Sequence, residues 1–203
     1  MPDSHEPLPG PDPAGAKRAL RRDLLAARRT RGPAAPGATA ALTGLVLDLP
    51  ELDGVSRVAL YVPAPDEPDT GPLVAALHAR GVEVLLPVLL DDDDLDWAPW
   101  SGPDHLVTGR RGTRHPDTPA QGVGAIGGVD VAFVPGLAVG PDGMRLGRGG
   151  GSYDRALERL PRTVPVVVLL HPGETDRAVP AEPHDRAVHV AVTEQSVHRW
   201  VRG

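Results

Sequence analysis

The densest chemistry in the chain lies in residues 135–160, PGLAVGPDGMRLGRGGGSYDRALERL. Gly147, Gly149, Gly150 and Gly151 fall within five positions, next to Arg145 and Arg148. A loop without Cβ atoms lets backbone N–H groups approach an anion closely. A following helix would add free N–H groups and the positive end of its dipole, and the two arginines would supply charge for phosphate. The run is neither the GxxxxGK[ST] of a P-loop nor a strict GxGxxG, and an ordinary glycine-rich turn accounts for it equally well. Asp154 falls in the first turn of the expected helix. It reads either as an acid complementing the dipole or, if the loop holds polyphosphate, as a carboxylate reaching Mg²⁺.

Elements must carry this loop to a sheet edge. Residues 129–134 (VDVAFV) form a near-continuous apolar run that predicts a buried parallel strand leading into it, and residues 152–160 predict the helix leaving it. Further strands are expected at 57–62, 82–87, 95–100, 164–170 and 188–192, with helices at 16–29, 38–47, 70–80 and 194–200. Residues 101–128 read as loop. Strands alternating with helices predict an α/β fold, a three-layer sandwich with a mostly parallel central sheet flanked by helices. Ligands of such sheets bind beyond the carboxyl ends of the strands.

Residues 1–14 are polar and proline-rich and predict a disordered tail, leaving 15–203 as a single domain. They lack the apolar run of a signal peptide, and no apolar stretch is long enough to span a bilayer, so a soluble cytoplasmic protein is expected. The net charge of -6 argues against a nucleic-acid binder. The absence of cysteine excludes disulfides, thiolate catalysis and Cys-ligated zinc. No Ser-His-Asp pattern stands out. The acidic run at Asp91–Asp94 reads as a solvated turn, and His171 and His184 as weak acid–base candidates.

The stretch GMRLGRGGGSYDRAL resembles the G-x-R-L-G-[RK]-G-x-G-x-Y-D motif of the 5-formyltetrahydrofolate cyclo-ligase family. Other segments match in order: KRALR from Lys17, ALYVPAPDEPDT from Ala59, VEVLLPVL, LDWAPW, and AVPAEPHDRAV near the C-terminus. The resemblance spans roughly Lys17 to Thr193. It implies an ATP-dependent ligase that phosphorylates the formyl oxygen of 5-formyltetrahydrofolate and closes the ring to 5,10-methenyltetrahydrofolate, releasing ADP and phosphate. Catalysis would rest on positioning and charge stabilisation.

By that resemblance, ATP is held by Lys17, Arg18, Ala19, Leu20 and Arg21, and by Arg145, Leu146, Gly147, Arg148, Gly149, Gly150, Gly151, Ser152 and Tyr153. The folate contacts are Arg21, Val62, Glu67, Trp100, Arg148, Gly149, Gly150, Gly151 and Ser152. Arg148 and Asp154 are the catalytic positions, and Asp154 and Asp185 the Mg²⁺ positions. Residue by residue, Lys17 and Arg21 also fit a solvated helix face, Glu67 a turn acid and Trp100 plain core. Many relatives carry Lys at the position of Gly150, an aromatic at Ser152 and an acid where this chain has His115. Partners are small molecules, and a monomer is expected. The competing readings are a related ATP-dependent ligase with another substrate, a nucleotide-binding regulatory module without turnover, and a sugar-phosphate isomerase-like domain.

Overall fold

The computed structural model describes residues 12–180 and 186–200. Helix α1 (Pro13–Thr30) starts where Asp12 accepts a hydrogen bond from Gly15 N–H at 2.9 Å and Pro13 takes the first helical position, which needs no N–H. The cap places the start three residues earlier than the apolar periodicity suggests, so the expected tail boundary at residue 14 falls inside the helix. Residues 1–11 lie outside the described residues.

Helix α2 (Ala38–Leu47) precedes strand β1 (Arg57–Ala59). Helix α3 (Gly71–Ala79) leads through Gly81 at φ 82° into β2 (Glu83–Leu89), which turns back as β3 (Leu95–Pro99). A small hairpin of β4 (Leu106–Thr108) and β5 (Arg114–Pro116) lies in the stretch expected to be loop. Next come β6 (Val131–Pro135) and a second hairpin, β7 (Ala138–Val139) with β8 (Arg145–Leu146). Helix α4 (Ser152–Glu158), β9 (Val166–Leu169), β10 (Val190–Val192) and β11 (Val197–Arg199) complete the chain.

The main sheet has seven strands in the order β11-β10-β9-β6-β1-β2-β3. The five inner strands are parallel, and β3 and β11 run antiparallel at the two edges. Alternation along the inner strands sorts the core. Val58, Leu60, Val84, Leu86, Val131, Phe133, Val167 and Leu169 pack with Leu42 and Val46 of α2 and Leu73 and Leu77 of α3. Ala59, Leu85, Ala132, Val134, Val166 and Val168 face Ala156 and Leu157 of α4. Burial on both faces is why these strands read as continuous apolar runs. The expected three-layer sandwich is what forms.

One element differs in kind. The final helix expected at 194–200 is instead the edge strand β11. Thr193 Oγ1 accepts from the N–H groups of Gln195 and Ser196, and Thr193 N–H donates to Ser196 O at 2.9 Å, reversing the chain onto β10. A helix this short depends on packing, as α4 does through Ala156 and Leu157; here the open edge of β10 offers a row of backbone partners instead.

Candidate active site

The inner order β2-β1-β6-β9-β10 reverses direction between β1 and β6. A crevice opens outside the carboxyl ends of strands at such a switch point. The loops leaving β1 and β6 line a cleft of about 520 Å³, together with the turn between β2 and β3 and the tip of the β4–β5 hairpin.

The loop after β6 is built by β7 and β8 and ends in the glycines. Gly149 at φ 98° and Gly151 at φ 72° hold left-handed conformations costly for other residues, so the backbone can fold over the cleft. Gly147, Arg148, Gly149, Gly150, Gly151, Ser152, Tyr153 and Asp154 all line it. Helix α4 has only seven residues, so the dipole expected at its start is small and the loop's own N–H groups carry most of the anion-binding capacity.

Arg145 and Arg148 have different tasks. Arg145, 5% exposed in its side chain, donates to Pro135 O at 3.0 Å and to Asp154 Oδ1 at 2.7 Å. It ties the end of β6 to the first turn of α4 and leaves Asp154 40% exposed towards the cleft. Arg148 reaches the opposite loop, where its Nε donates to Glu67 Oε1 at 2.9 Å and its terminal nitrogen pairs with Asp66. Glu67 also accepts from Ala64 N–H at 2.9 Å, which fixes its carboxylate at the wall. Val62 lines the same wall. Arg21 of α1 donates from Nε to Gly147 O at 2.9 Å and packs beside Gly149, bracing the glycine loop from outside.

Tyr61 and Tyr153 line the cleft floor, and burial pushes both phenols upward, so both stay protonated. The Tyr61 hydroxyl is buried and, among the described residues, has no hydrogen-bond partner.

Other sequence candidates lie elsewhere. Trp100 does not line the cleft. Because β3 is antiparallel, it ends at the amino edge of the parallel strands; Trp100 N–H donates to Val84 O, and the ring packs edge-on against His78 at 5.0 Å. Leu146 is core beneath α1, where Leu20 also packs. Lys17 is buried, while Arg18 is exposed and pairs with Asp12 at 3.6 Å. Ala19 is half-buried in the same helix. Asp185 and His184 lie outside the described residues. The acidic turn is not merely solvated: Asp94 is bound by Arg159 at 3.0 and 2.5 Å, and Asp93 pairs with Arg111 at 2.8 Å. It docks α4 and the β4–β5 hairpin.

Two features escaped the sequence reading. The first is the hairpin tip, Arg111–Arg114, which forms part of the cleft rim. The second is a buried network at the carboxyl edge. Arg28 of α1 pairs with both oxygens of Glu174 at 2.8 and 2.7 Å and donates to Gly136 O at 2.6 Å. Glu174 Oε2 accepts from His171 N–H at 2.9 Å, and His171 Nε2 lies 3.2 Å from Asp66 O. Burial pulls the His171 imidazole below its ordinary range, against the opposing charge of Glu174. The neutral ring with its proton on Nε2 can donate to Asp66 O. The network thus links α1 with the loops after β1, β6 and β9. Helical periodicity marked Arg28 only as one more basic residue, and nothing local ties it to Glu174.

Comparisons with known proteins agree with this architecture. Residues 13–194 match the 5-formyltetrahydrofolate cyclo-ligase family. The 5-formyltetrahydrofolate cyclo-ligase of Mycolicibacterium smegmatis is 37% identical over 90% of this chain and 96% of its own length. That of Escherichia coli K12 is 31% identical over 70% of this chain and 80% of its own. The solved structure of Aquifex aeolicus 5,10-methenyltetrahydrofolate synthetase has a TM-score of 0.76 at 28% identity, covering 92% of this chain and 94% of that one. With the switch-point cleft, the glycine loop and the facing acidic loop in place, the chain belongs to the 5-formyltetrahydrofolate cyclo-ligase family.

Proposed function

We propose that the protein converts 5-formyltetrahydrofolate to 5,10-methenyltetrahydrofolate at the expense of ATP. The observation that carries this reading is the contact between Arg148 and Glu67 at 2.9 Å. It joins the loop suited to phosphate with the loop suited to the pterin, so phosphoryl donor and acceptor would meet across it. Proximity of this kind is the main catalytic resource for a reaction without a protein nucleophile.

The formyl oxygen attacks the γ-phosphorus of ATP, and the bond to the ADP oxygen breaks. N10 then attacks the activated carbon and loses its proton, and the C–O bond breaks with phosphate leaving. The glycine-loop N–H groups and Arg148 stabilise charge on the transferring group, and Arg21 braces that loop from outside; Lys17, Arg18, Ala19 and Leu20 are nucleotide positions on resemblance alone. A carboxylate offers about four lone-pair positions. Glu67 uses one for Arg148 and one for Ala64, leaving room for pterin N–H donors.

Mg²⁺ usually takes one or two protein carboxylates, with phosphate oxygens and water completing its shell. Asp154, half-exposed at the cleft with one oxygen on Arg145, fits as a single such ligand. The ion would neutralise phosphate charge there. Asp185 is the second candidate on resemblance alone.

The test is direct. Purified protein given 5-formyltetrahydrofolate, ATP and Mg²⁺ should produce the near-ultraviolet absorbance of the methenyl product, and omitting ATP should abolish it. Folded protein that gives no absorbance rise with fresh substrate would overturn the proposal.

A further inference from the structure

The β4–β5 hairpin is strongly basic. Residues 106–116, LVTGRRGTRHP, hold three arginines and a histidine and no acid, in a chain whose net charge is -6. Two of the arginines are committed: Arg110 pairs with Asp91, and Arg111 with Asp93 at 2.8 Å. Those pairs pin the hairpin to the turn between β2 and β3. Gly109 N–H to Thr113 O at 2.7 Å and Thr113 Oγ1 to Arg110 O at 2.8 Å close the tip. Arg114 is different. It lines the cleft, is exposed, and makes no ion pair or side-chain hydrogen bond among the described residues. The fold spends two ion pairs holding this tip in place and leaves its remaining arginine facing the cleft.

The order of the sheet says what that cation could meet. From β6 across β1 and β2 to β3, the cleft wall changes from the glycine loop to Val62 and Glu67, then to Leu89 and Leu95, then to the hairpin tip. Three strand spacings cover roughly 15 Å. A folate carries its groups in the same succession: a pterin with hydrogen-bond donors, the reacting nitrogens, an apolar benzoyl ring and a glutamate with free carboxylates. We infer that Arg114 forms a subsite for the carboxylates of the substrate's glutamyl tail, a specificity site separate from the phosphate-binding loop. Guanidinium is suited to this because its planar donor fork matches a carboxylate. The inference rests on the proposed folate substrate.

The experiment compares 5-formyltetrahydrofolate with 5-formyltetrahydropteroate, which lacks the glutamate, in the wild type, Arg114→Met and Arg114→Lys. Wild type should show a KM for the glutamate-bearing substrate lower by about fivefold to tenfold, in the range of a partly exposed charged contact. Arg114→Met should lose that preference while its kcat and its KM for the pteroate stay within about twofold of wild type, and Arg114→Lys should restore part of it. A wild type that treats the two substrates alike, or a Met variant that keeps the preference or loses activity equally on both, overturns the inference and leaves the proposed reaction intact. If wild type turns over neither substrate, both readings fall together.

Discussion

Asp154 and Arg145 form a half-exposed pair whose two members have unequal consequences. Arg145 is buried, and replacing it with Met would strand the Pro135 carbonyl and unfasten the loop from α4. Asp154 sits at a helix start, where an acid contributes only about 0.3–1 kcal/mol. Asp154→Asn keeps an oxygen to accept from Arg145 but removes the charge paired with that buried guanidinium, so it should lower Tm less than Arg145→Met does while lowering kcat by at least tenfold, a loss of about 1.4 kcal/mol in the barrier. Raising Mg²⁺ should recover part of that rate. Arg145→Met should lower Tm clearly. A rate for Asp154→Asn equal to wild type with unaltered Mg²⁺ dependence would leave Asp154 as a dipole acid only. The motif marked both arginines and the aspartate as phosphate chemistry, because type and spacing are visible in sequence. Which arginine turns inward is not visible, since it depends on the Pro135 carbonyl at the end of a strand ten positions earlier. Of the two readings of Trp100, folate contact or core, the packed one matches its place at the other sheet edge, which follows from β3 running antiparallel, a property of pairing that its own residues do not encode.

Helix α1 was legible as an amphipathic element, and its cap at Asp12 and proline at the first position could have been read from the same residues. Its anchorage could not. Arg28 and Glu174 lie 146 positions apart, and only the fold brings them together. Breaking a buried ion pair by removing one partner costs about 3–5 kcal/mol when the other charge is left unpaired, and without Arg28 the buried Glu174 would keep only the longer contact with the part-exposed Arg31 at 3.6 Å. Arg28→Met alone should thus be severely destabilised, and denaturant titration would measure it. The double variant Arg28→Met with Glu174→Met removes both charges and should recover much of that stability. It should not recover turnover, because Glu174 also holds His171 N–H, and His171 contacts the loop bearing Asp66 and Glu67. Activity returning in step with stability would show the network to be a scaffold with no influence on the site. The short edge elements were the least legible of all. Strand β11 and the β4–β5 hairpin have no strong periodicity, and each is defined by the partner it lies against.

Across the molecule, the inner strands and the helices between them were readable because a parallel sheet buried on both faces demands long apolar runs, and these stand out in a chain with so many turn residues. The placement of the cleft followed from strand order, which sequence only suggests. The same burial sets how stability should respond to pH. His171 has a lowered pKa through burial, so as pH falls below about 6.5 the unfolded chain takes up its proton first and stability declines. Asp94, held down chiefly by its hydrogen bond from Arg159, and Asp130, held down chiefly by the backbone N–H of Ser56, act in the same direction below about 4. Tyr61 acts at the other end: burial raises its pKa, so above about 10 the unfolded chain ionises first and stability falls again. The denaturation midpoint should form a plateau between these limits, with the first decline on the acid side belonging to His171. His171→Asn should flatten the decline that begins below about pH 6.5 while leaving the steeper loss near pH 4 in place. A variant with an unchanged acid limb would mean that another group takes up the proton, and that the link from His171 to Asp66 is not held by a neutral ring.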